Sequence, residues 1–310
     1  MKVMVTGGAG FIGSHLCARL VEDGHSVICV DNLATGSITN LEGIDKHRFV
    51  FVHADVVDMT WRKVDCIYHL ACPASPVHYQ KNPIETTITS VSGTYNVLKM
   101  ASKNKARILF TSTSEVYGDP EVHPQREDYF GNVNPIGERS CYDEGKRCAE
   151  SLCGDFNRLG LADVRVARIF NTYGPKMAAD DGRVVSNFIT QALNNKPLTI
   201  YGKGTQTRSL CYVSDMVDGL IKLMNYKQFE GPVNLGNPNE MTMLKLAGLV
   251  LELTNSKSKT KFSGLPSDDP TKRKPDIRKA WKTLGWKPVT NIKTGLEKTI
   301  EYFQQECKKA

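Results

Sequence analysis

The chain has 310 residues, 40% hydrophobic and 24% charged, the balance of a globular protein large enough for one α/β domain with a smaller lobe attached. Its net charge of +7 is scattered except near the C-terminus. That suits an anionic small ligand such as a nucleotide and argues against nucleic acid, which needs a concentrated basic stripe. No apolar run approaches a membrane span, and no leader precedes the first strand, so a cytoplasmic protein without a membrane anchor is the expectation. Nine cysteines stand without paired short spacing. Cys141, Cys148 and Cys153 fall on or beside one predicted helix, but no histidine or second cysteine pair completes a metal set, so reduced thiols and no metal are expected.

In chain order, the apolar run Met1 to Thr6 predicts a strand, Gly7-Gly8-Ala9-Gly10-Phe11-Ile12-Gly13 a tight turn, and the amphipathic stretch to about Asp23 a helix. This is the context a dinucleotide fingerprint requires. Gly7, Gly10 and Gly13 allow the turn, the approach of backbone to a pyrophosphate, and close helix–strand packing. A second strand, Ser26 to Val30, ends in Asp31, 18 residues beyond Gly13, where a carboxylate binds ribose hydroxyls and repels a 2′-phosphate. The cofactor read from this is NAD rather than NADP. Phe49 to His53 predicts a third strand ending near Asp55 and Val56, with Asp55 either on the adenine amine or forming a turn. Val64 to Leu70 predicts a fourth, running into Ala71-Cys72-Pro73-Ala74-Ser75-Pro76, a loop over the cofactor.

A helix over about Pro83 to Asn104 and a strand from Arg107 to Ser112 follow. Alternation of strand and helix predicts a Rossmann-type, doubly wound parallel sheet, with ligands beyond the carboxyl ends of its strands. Thr111 to Glu115 occupies such a position. Next, Tyr142 and Lys146 stand four apart in Tyr142-Asp143-Glu144-Gly145-Lys146, on one face of a helix reaching about Leu159. An ammonium under a phenol favours the phenolate and makes tyrosine a usable base. After the strand Ala162 to Ile169 the texture changes. Turns at Asn171–Lys176 and Asp181–Arg183 precede helices at about Val184–Asn194, Ser214–Asn225, Met243–Thr254 and Ile292–Cys307, with short strands at Pro197–Tyr201 and Arg208–Val213. Residues 1–170 are read as the NAD-binding domain and 171–310 as mainly the substrate lobe, with some exchange of elements.

With fingerprint, ribose carboxylate and Tyr-x-x-x-Lys in this order, the chain resembles the extended short-chain dehydrogenase/reductase superfamily and, within it, the UDP-glucuronate decarboxylases. The likeness runs from Val5 to about Phe303. It is densest at Thr113-Ser114-Glu115-Val116-Tyr117-Gly118, Asn134-Pro135-Ile136-Gly137, Tyr142 to Arg147, Arg168 to Thr172, Gly182 to Phe188 and Lys272 to Ile277. In related 4,6-dehydratases an Asp-Glu pair stands where this chain has Ser114-Glu115, and in related 4-epimerases a small or hydroxyl residue replaces Glu115; serine followed by glutamate resembles the decarboxylases. A non-catalytic NAD sensor on the same fold is disfavoured, because Tyr142, Lys146, Glu115 and Arg273 are all intact.

The resemblance implies that Tyr142 and Lys146 oxidise C4 of UDP-glucuronate together with NAD, that Thr113 or Ser114 donates to the enolate after CO2 leaves, and that Glu115 manages protonation at C5 or disfavours the substrate carboxylate by repulsion. Return of the hydride gives UDP-xylose. It further implies cofactor contacts at Phe11, Ile12, Asn32, Asp55, Val56 and Leu70. Substrate contacts are implied at Asn171, Lys176, Arg183, Val184, Tyr201, Gln206, Arg208 and Arg273, and a homodimer through the helices near Pro83–Asn104 and Tyr142–Leu159.

Overall fold

Six apolar runs become the strands β1 (Lys2–Thr6), β2 (Ser26–Asp31), β3 (Phe49–His53), β4 (Cys66–His69), β5 (Arg107–Thr113) and β6 (Val164–Ile169) of the computed structural model, which describes residues 1–228, 231–264 and 272–309. They lie in one parallel sheet with a seventh strand, Val233–Leu235, in the order Val233–Leu235, β6, β5, β4, β1, β2, β3. The order reverses between β1 and β4, so a crevice opens there beyond the strand ends.

Both faces of the sheet are covered, which is why its strands are nearly continuous apolar runs. On one side helix α1 (Phe11–Glu22) and the helix Val213–Asn225 bury Leu16, Leu20, Met216 and Leu220. On the other, the helices Thr94–Asn104 and Ser140–Arg158 bury Val97, Leu98, Ala149 and Phe156. Each of the buried Val, Leu, Met and Phe side chains contributes on the order of 1.5–3 kcal/mol, and Ala149 less.

Several expectations are adjusted. The stretch Pro83 to Asn104 is helical throughout but not one α-helix. An α segment, Pro83–Ile88, passes through a π turn, Thr89–Gly93, before Thr94–Asn104. A Cβ on Gly93 would stand 2.7 Å from Val56 Cγ2, so the turn needs glycine where it crosses the cofactor side. The stretch Arg208 to Val213 divides into Thr207–Ser209 and Cys211–Tyr212, and the second pairs with Thr172–Tyr173, read from sequence as part of a turn. The short helices Pro76–Tyr79 and Arg278–Leu284 and the strand Val233–Leu235 carry too few residues to show a period. Val233–Leu235, from the half read as the smaller lobe, hydrogen-bonds to β6 at the sheet edge.

Candidate active site

Two adjoining clefts of about 540 and 410 Å³ open beyond the strand ends. They share Ile12, Ala74, Tyr142, Ile169, Met177 and Arg183, so Tyr142 stands where they meet.

The first cleft is built from backbone. Gly7 has φ +71°, a conformation that favours glycine, and a Cβ there would come within 2.8 Å of the Leu70 and Ala71 backbone. A Cβ on Gly13 would run into the carbonyl oxygen of Gly7. Gly10 is the N-cap of α1 and brings no side-chain cap, and the first turn holds no acidic residue. The N–H groups there keep their capacity for an anion. Asp31, 8% exposed, accepts from Ala9 N–H at 2.9 Å and Leu33 N–H at 2.8 Å. Burial raises its pKa, against the pull of those backbone donors. Phe11, Ile12, Asn32, Asp55, Val56 and Leu70 line the same cleft. Asp55 Oδ1 accepts from Val57 N–H at 2.9 Å and Oδ2 from Asn32 Nδ2 at 2.7 Å. A pyrophosphate cradle followed by a ribose carboxylate fits a dinucleotide lacking the 2′-phosphate.

Beneath this cleft, His69 bridges Thr6 Oγ1 (2.7 Å) and Thr94 Oγ1 (3.0 Å). Burial, then Lys146, push its pKa down to about 3, so it is a neutral strut.

Tyr142 and Lys146 project from the helix Ser140–Arg158 and are 5% and 3% exposed. Lys146 Nζ donates to the Thr111 carbonyl at 2.9 Å and lies 5.9 Å from the centre of the Tyr142 ring. Thr113 hydrogen-bonds the phenol. The expectation that the lysine lowers the phenol's pKa is corrected for the protein alone. Burial dominates and raises Tyr142, while burial also lowers Lys146. The Tyr142 ring stacks on Tyr79 with centroids 5.1 Å apart, and the Tyr79 hydroxyl is buried with no hydrogen-bond partner among the described residues.

The second cleft is built from side chains far apart in sequence. Thr113 caps the one-turn helix Ser114–Tyr117, accepting from Glu115 N–H at 3.2 Å, and so aims Glu115 into the cleft. Arg139 Nη2 donates to Glu115 Oε2 at 2.6 Å, and Arg273 Nη1 donates to Oε1. Burial opposes ionisation of this carboxyl, yet the Arg273 and Arg139 guanidiniums overcome it and hold its pKa at about 2. Glu115 is therefore an anchored carboxylate in the protein alone. Ser114, Asn171, Arg183, Val184, Tyr201, Gln206, Arg208 and Arg273 line this cleft.

Lys176 does not. Its φ of +67° turns the chain so that Nζ donates to the Asn40 carbonyl at 2.7 Å in the first cleft. Arg139 was missed by the sequence reading, although it stands one helical turn before Tyr142 and Asp143 on the approach to the same face. Tyr79 was missed because it lies in a four-residue helix inside a loop.

A dinucleotide cradle opening onto a buried Tyr–Lys pair defines an enzyme that oxidises and reduces an alcohol carbon. The chain belongs to the NAD dependent epimerase/dehydratase family, whose model matches residues 3–236. It is 54% identical over 306 residues to UDP-glucuronic acid decarboxylase 1 of Danio rerio, covering 98% of this chain and 73% of that one. It is 55% identical over 306 residues to UDP-glucuronic acid decarboxylase 4 of Arabidopsis thaliana, covering 98% and 69%. Among solved structures, a UDP-glucose 4-epimerase of Thermotoga maritima with UDP-glucose superposes with a TM-score of 0.91 at 29% identity, covering 99% and 100% of the two chains. The UDP-glucuronic acid 4-epimerase of Bacillus cereus, in complex with UDP-glucuronic acid and NAD, gives 0.90 at 27%, again covering 99% and 100%. NAD is the cofactor, and the first cleft fits it. No helix among the described residues is long and apolar enough to cross a membrane, and none of their His, Cys, Asp and Glu side chains group as a metal site.

Proposed function

We propose that the protein decarboxylates UDP-glucuronate to UDP-xylose and CO2 through a 4-keto intermediate, with NAD reduced and reoxidised within one cycle. The observation that carries this reading is the Glu115 carboxylate clasped by Arg139 and Arg273 beside Tyr142, an arrangement suited to a sugar with a carboxylate at C5. Relatives at 54–55% identity are named for this reaction.

NAD⁺, when bound, supplies the hydride acceptor for C4 and brings a positive charge that favours the Tyr142 phenolate. Tyr142 takes the C4 hydroxyl proton, with Thr113 hydrogen-bonded to the phenol and Lys146 fixed by the Thr111 carbonyl. The 4-keto acid is a β-keto acid, so CO2 leaves an enolate that hydroxyls of Thr113 or Ser114 can stabilise. Ionised Glu115 competes with the substrate carboxylate for Arg273 and Arg139, which disfavours the charged carboxylate relative to neutral CO2. Gly7, Gly10, Gly13, Asp31 and Lys176 are assigned to the cofactor, and Asn171, Arg183, Val184, Tyr201, Gln206 and Arg208 to the nucleotide sugar. A dinucleotide that starts and ends each turnover oxidised has no reason to leave.

A homodimer through the helices 83–104 and 140–158 is part of the same reading. Ile84 and Tyr95 on the first of these are 69% and 46% exposed, which suits a covered face.

The test is to incubate the protein with UDP-glucuronate and NAD⁺ and identify the sugar nucleotide by NMR. UDP-xylose without net reduced nicotinamide is expected; UDP-galacturonate would place the protein with the epimerases instead.

A further inference from the structure

Arg273 meets Glu115 across 158 residues of chain, so the segment that carries it must be held in place. Its own strand, Lys272–Arg273, has two residues, below the usual strand length. It lies at the edge of a three-stranded sheet, paired with Thr207–Ser209. Arginine also has a long side chain with many rotamers. A small drift of this backbone would carry the guanidinium off the carboxylate.

The hold comes from a residue that lines neither cleft. Gln125 is fully buried. Its N–H donates to the Lys274 carbonyl at 2.9 Å, and its side-chain Oε1 accepts from the Lys274 N–H at 2.8 Å. Both main-chain polar groups of the residue after Arg273 thus end on Gln125. Pro275 has no N–H to give, and the Gln125 carbonyl accepts instead from the Asp276 N–H at 2.9 Å. Gln125 Nε2 donates to the Val122 carbonyl at 2.8 Å, which leaves Oε1 as the atom facing Lys274.

Asn234, on the edge strand of the main sheet and also fully buried, extends this connection. Its Nδ2 donates to the Gln125 and Asp276 carbonyls at 3.0 and 3.2 Å, and its Oδ1 accepts from the Tyr117 hydroxyl at 2.8 Å. Tyr117 ends the one-turn helix that presents Glu115. The two members of the ion pair are therefore joined twice, by their charges inside the cleft and by amides and a phenol behind it.

We propose that Gln125 is a positioning residue for decarboxylation, holding the Arg273 guanidinium on Glu115 from behind the second cleft. This rests on the decarboxylase reading. Oxidation at C4 depends on Tyr142 and NAD. Loss of CO2 depends on the charges that Gln125 keeps in register, so the two steps should separate when it is changed.

The test is Gln125→Met, which keeps length and bulk and removes the acceptor for the Lys274 N–H. Expected is a kcat lowered roughly tenfold, the scale of one lost buried hydrogen bond, with reduced nicotinamide accumulating in the steady state. The substitution is then repeated in an Arg273→Lys background. There it should change kcat by less than about twofold while lowering Tm as much as before, because the residue it acts through is already gone. An equal fall in kcat in both backgrounds would make Gln125 merely structural and overturn the proposal. Wild-type kcat in Gln125→Met, or in Arg273→Lys alone, would overturn it too. If Gln125→Met does not fold, Gln125→Asn withdraws the acceptor by one methylene and keeps the backbone bonds, and the same comparison decides. Failure of the wild type to release CO2 would instead sink the decarboxylase reading, before any variant is compared.

Discussion

The two clefts that meet at Tyr142 are made in opposite ways. The cofactor cleft is made of main chain: glycine turns, a helix N-terminus and a carboxylate held by two N–H groups, nearly all within residues 7–33. The second cleft is made of side chains drawn from Thr113 to Glu115, Arg139, Tyr142, several residues between Ile169 and Leu210, and Arg273, and its centre is a charge cluster. A cleft made of backbone tolerates almost no added atom but carries no chemistry of its own. A cleft made of charged side chains tolerates substitution structurally and loses its chemistry. Variants should therefore fail differently in the two.

The largest effect should come from Gly13→Ala. The new Cβ meets the Gly7 carbonyl oxygen, and the neighbour that must yield is backbone. Loss of bound NAD is expected, with Tm lowered, checked by the nicotinamide content of the purified protein and a thermal scan. Tyr142→Phe comes next: turnover should fall roughly 10²–10⁴-fold while NAD stays bound, because Tyr142 serves chemistry at the junction and not the cradle. Undiminished turnover would remove Tyr142 as the base. Glu115→Gln should cost about 1–3 kcal/mol of stability, since two guanidiniums lose their counter-charge, and should slow CO2 release more than it weakens UDP-glucuronate binding. A change in nucleotide affinity alone would make Glu115 structural.

The smallest effect is a pH dependence that separates the clefts. His69, under the cofactor cleft, has its pKa lowered from 6.5 to about 3, so its contribution is complete above 6.5 and lost as pH falls toward 3. Glu115, in the sugar cleft, is lowered from 4.5 to about 2, so its contribution is complete above 4.5 and lost as pH falls through 2. Asp143 runs the other way: raised from 3.8 to about 7, it costs stability as pH rises through that window. In denaturant melts, His69→Gln should remove the higher-pH part of the acid loss and Glu115→Gln the lower part.

The same contrast explains what could be read from the sequence. The glycine turn, Asp31 and the Tyr142–Lys146 pair were legible because each is a local spacing whose chemistry follows from strand, turn or helix geometry. Glu115 was legible as a residue but not as a charge state, because its ionisation depends on Arg273, 158 residues away in the chain. Lys176 reaches the Asn40 carbonyl in the first cleft from a left-handed backbone position, and no spacing announces that. Val233–Leu235 closes the sheet with three residues, too few for any period.

The most direct measurement is a single turnover of the NAD-loaded protein with UDP-glucuronate in deuterated water, followed by NMR of the product. A closed redox cycle predicts UDP-xylose that keeps the substrate's own hydrogen at C4 and carries one solvent deuterium at C5. Solvent deuterium at C4, or a product that retains the C5 carboxylate, would contradict it.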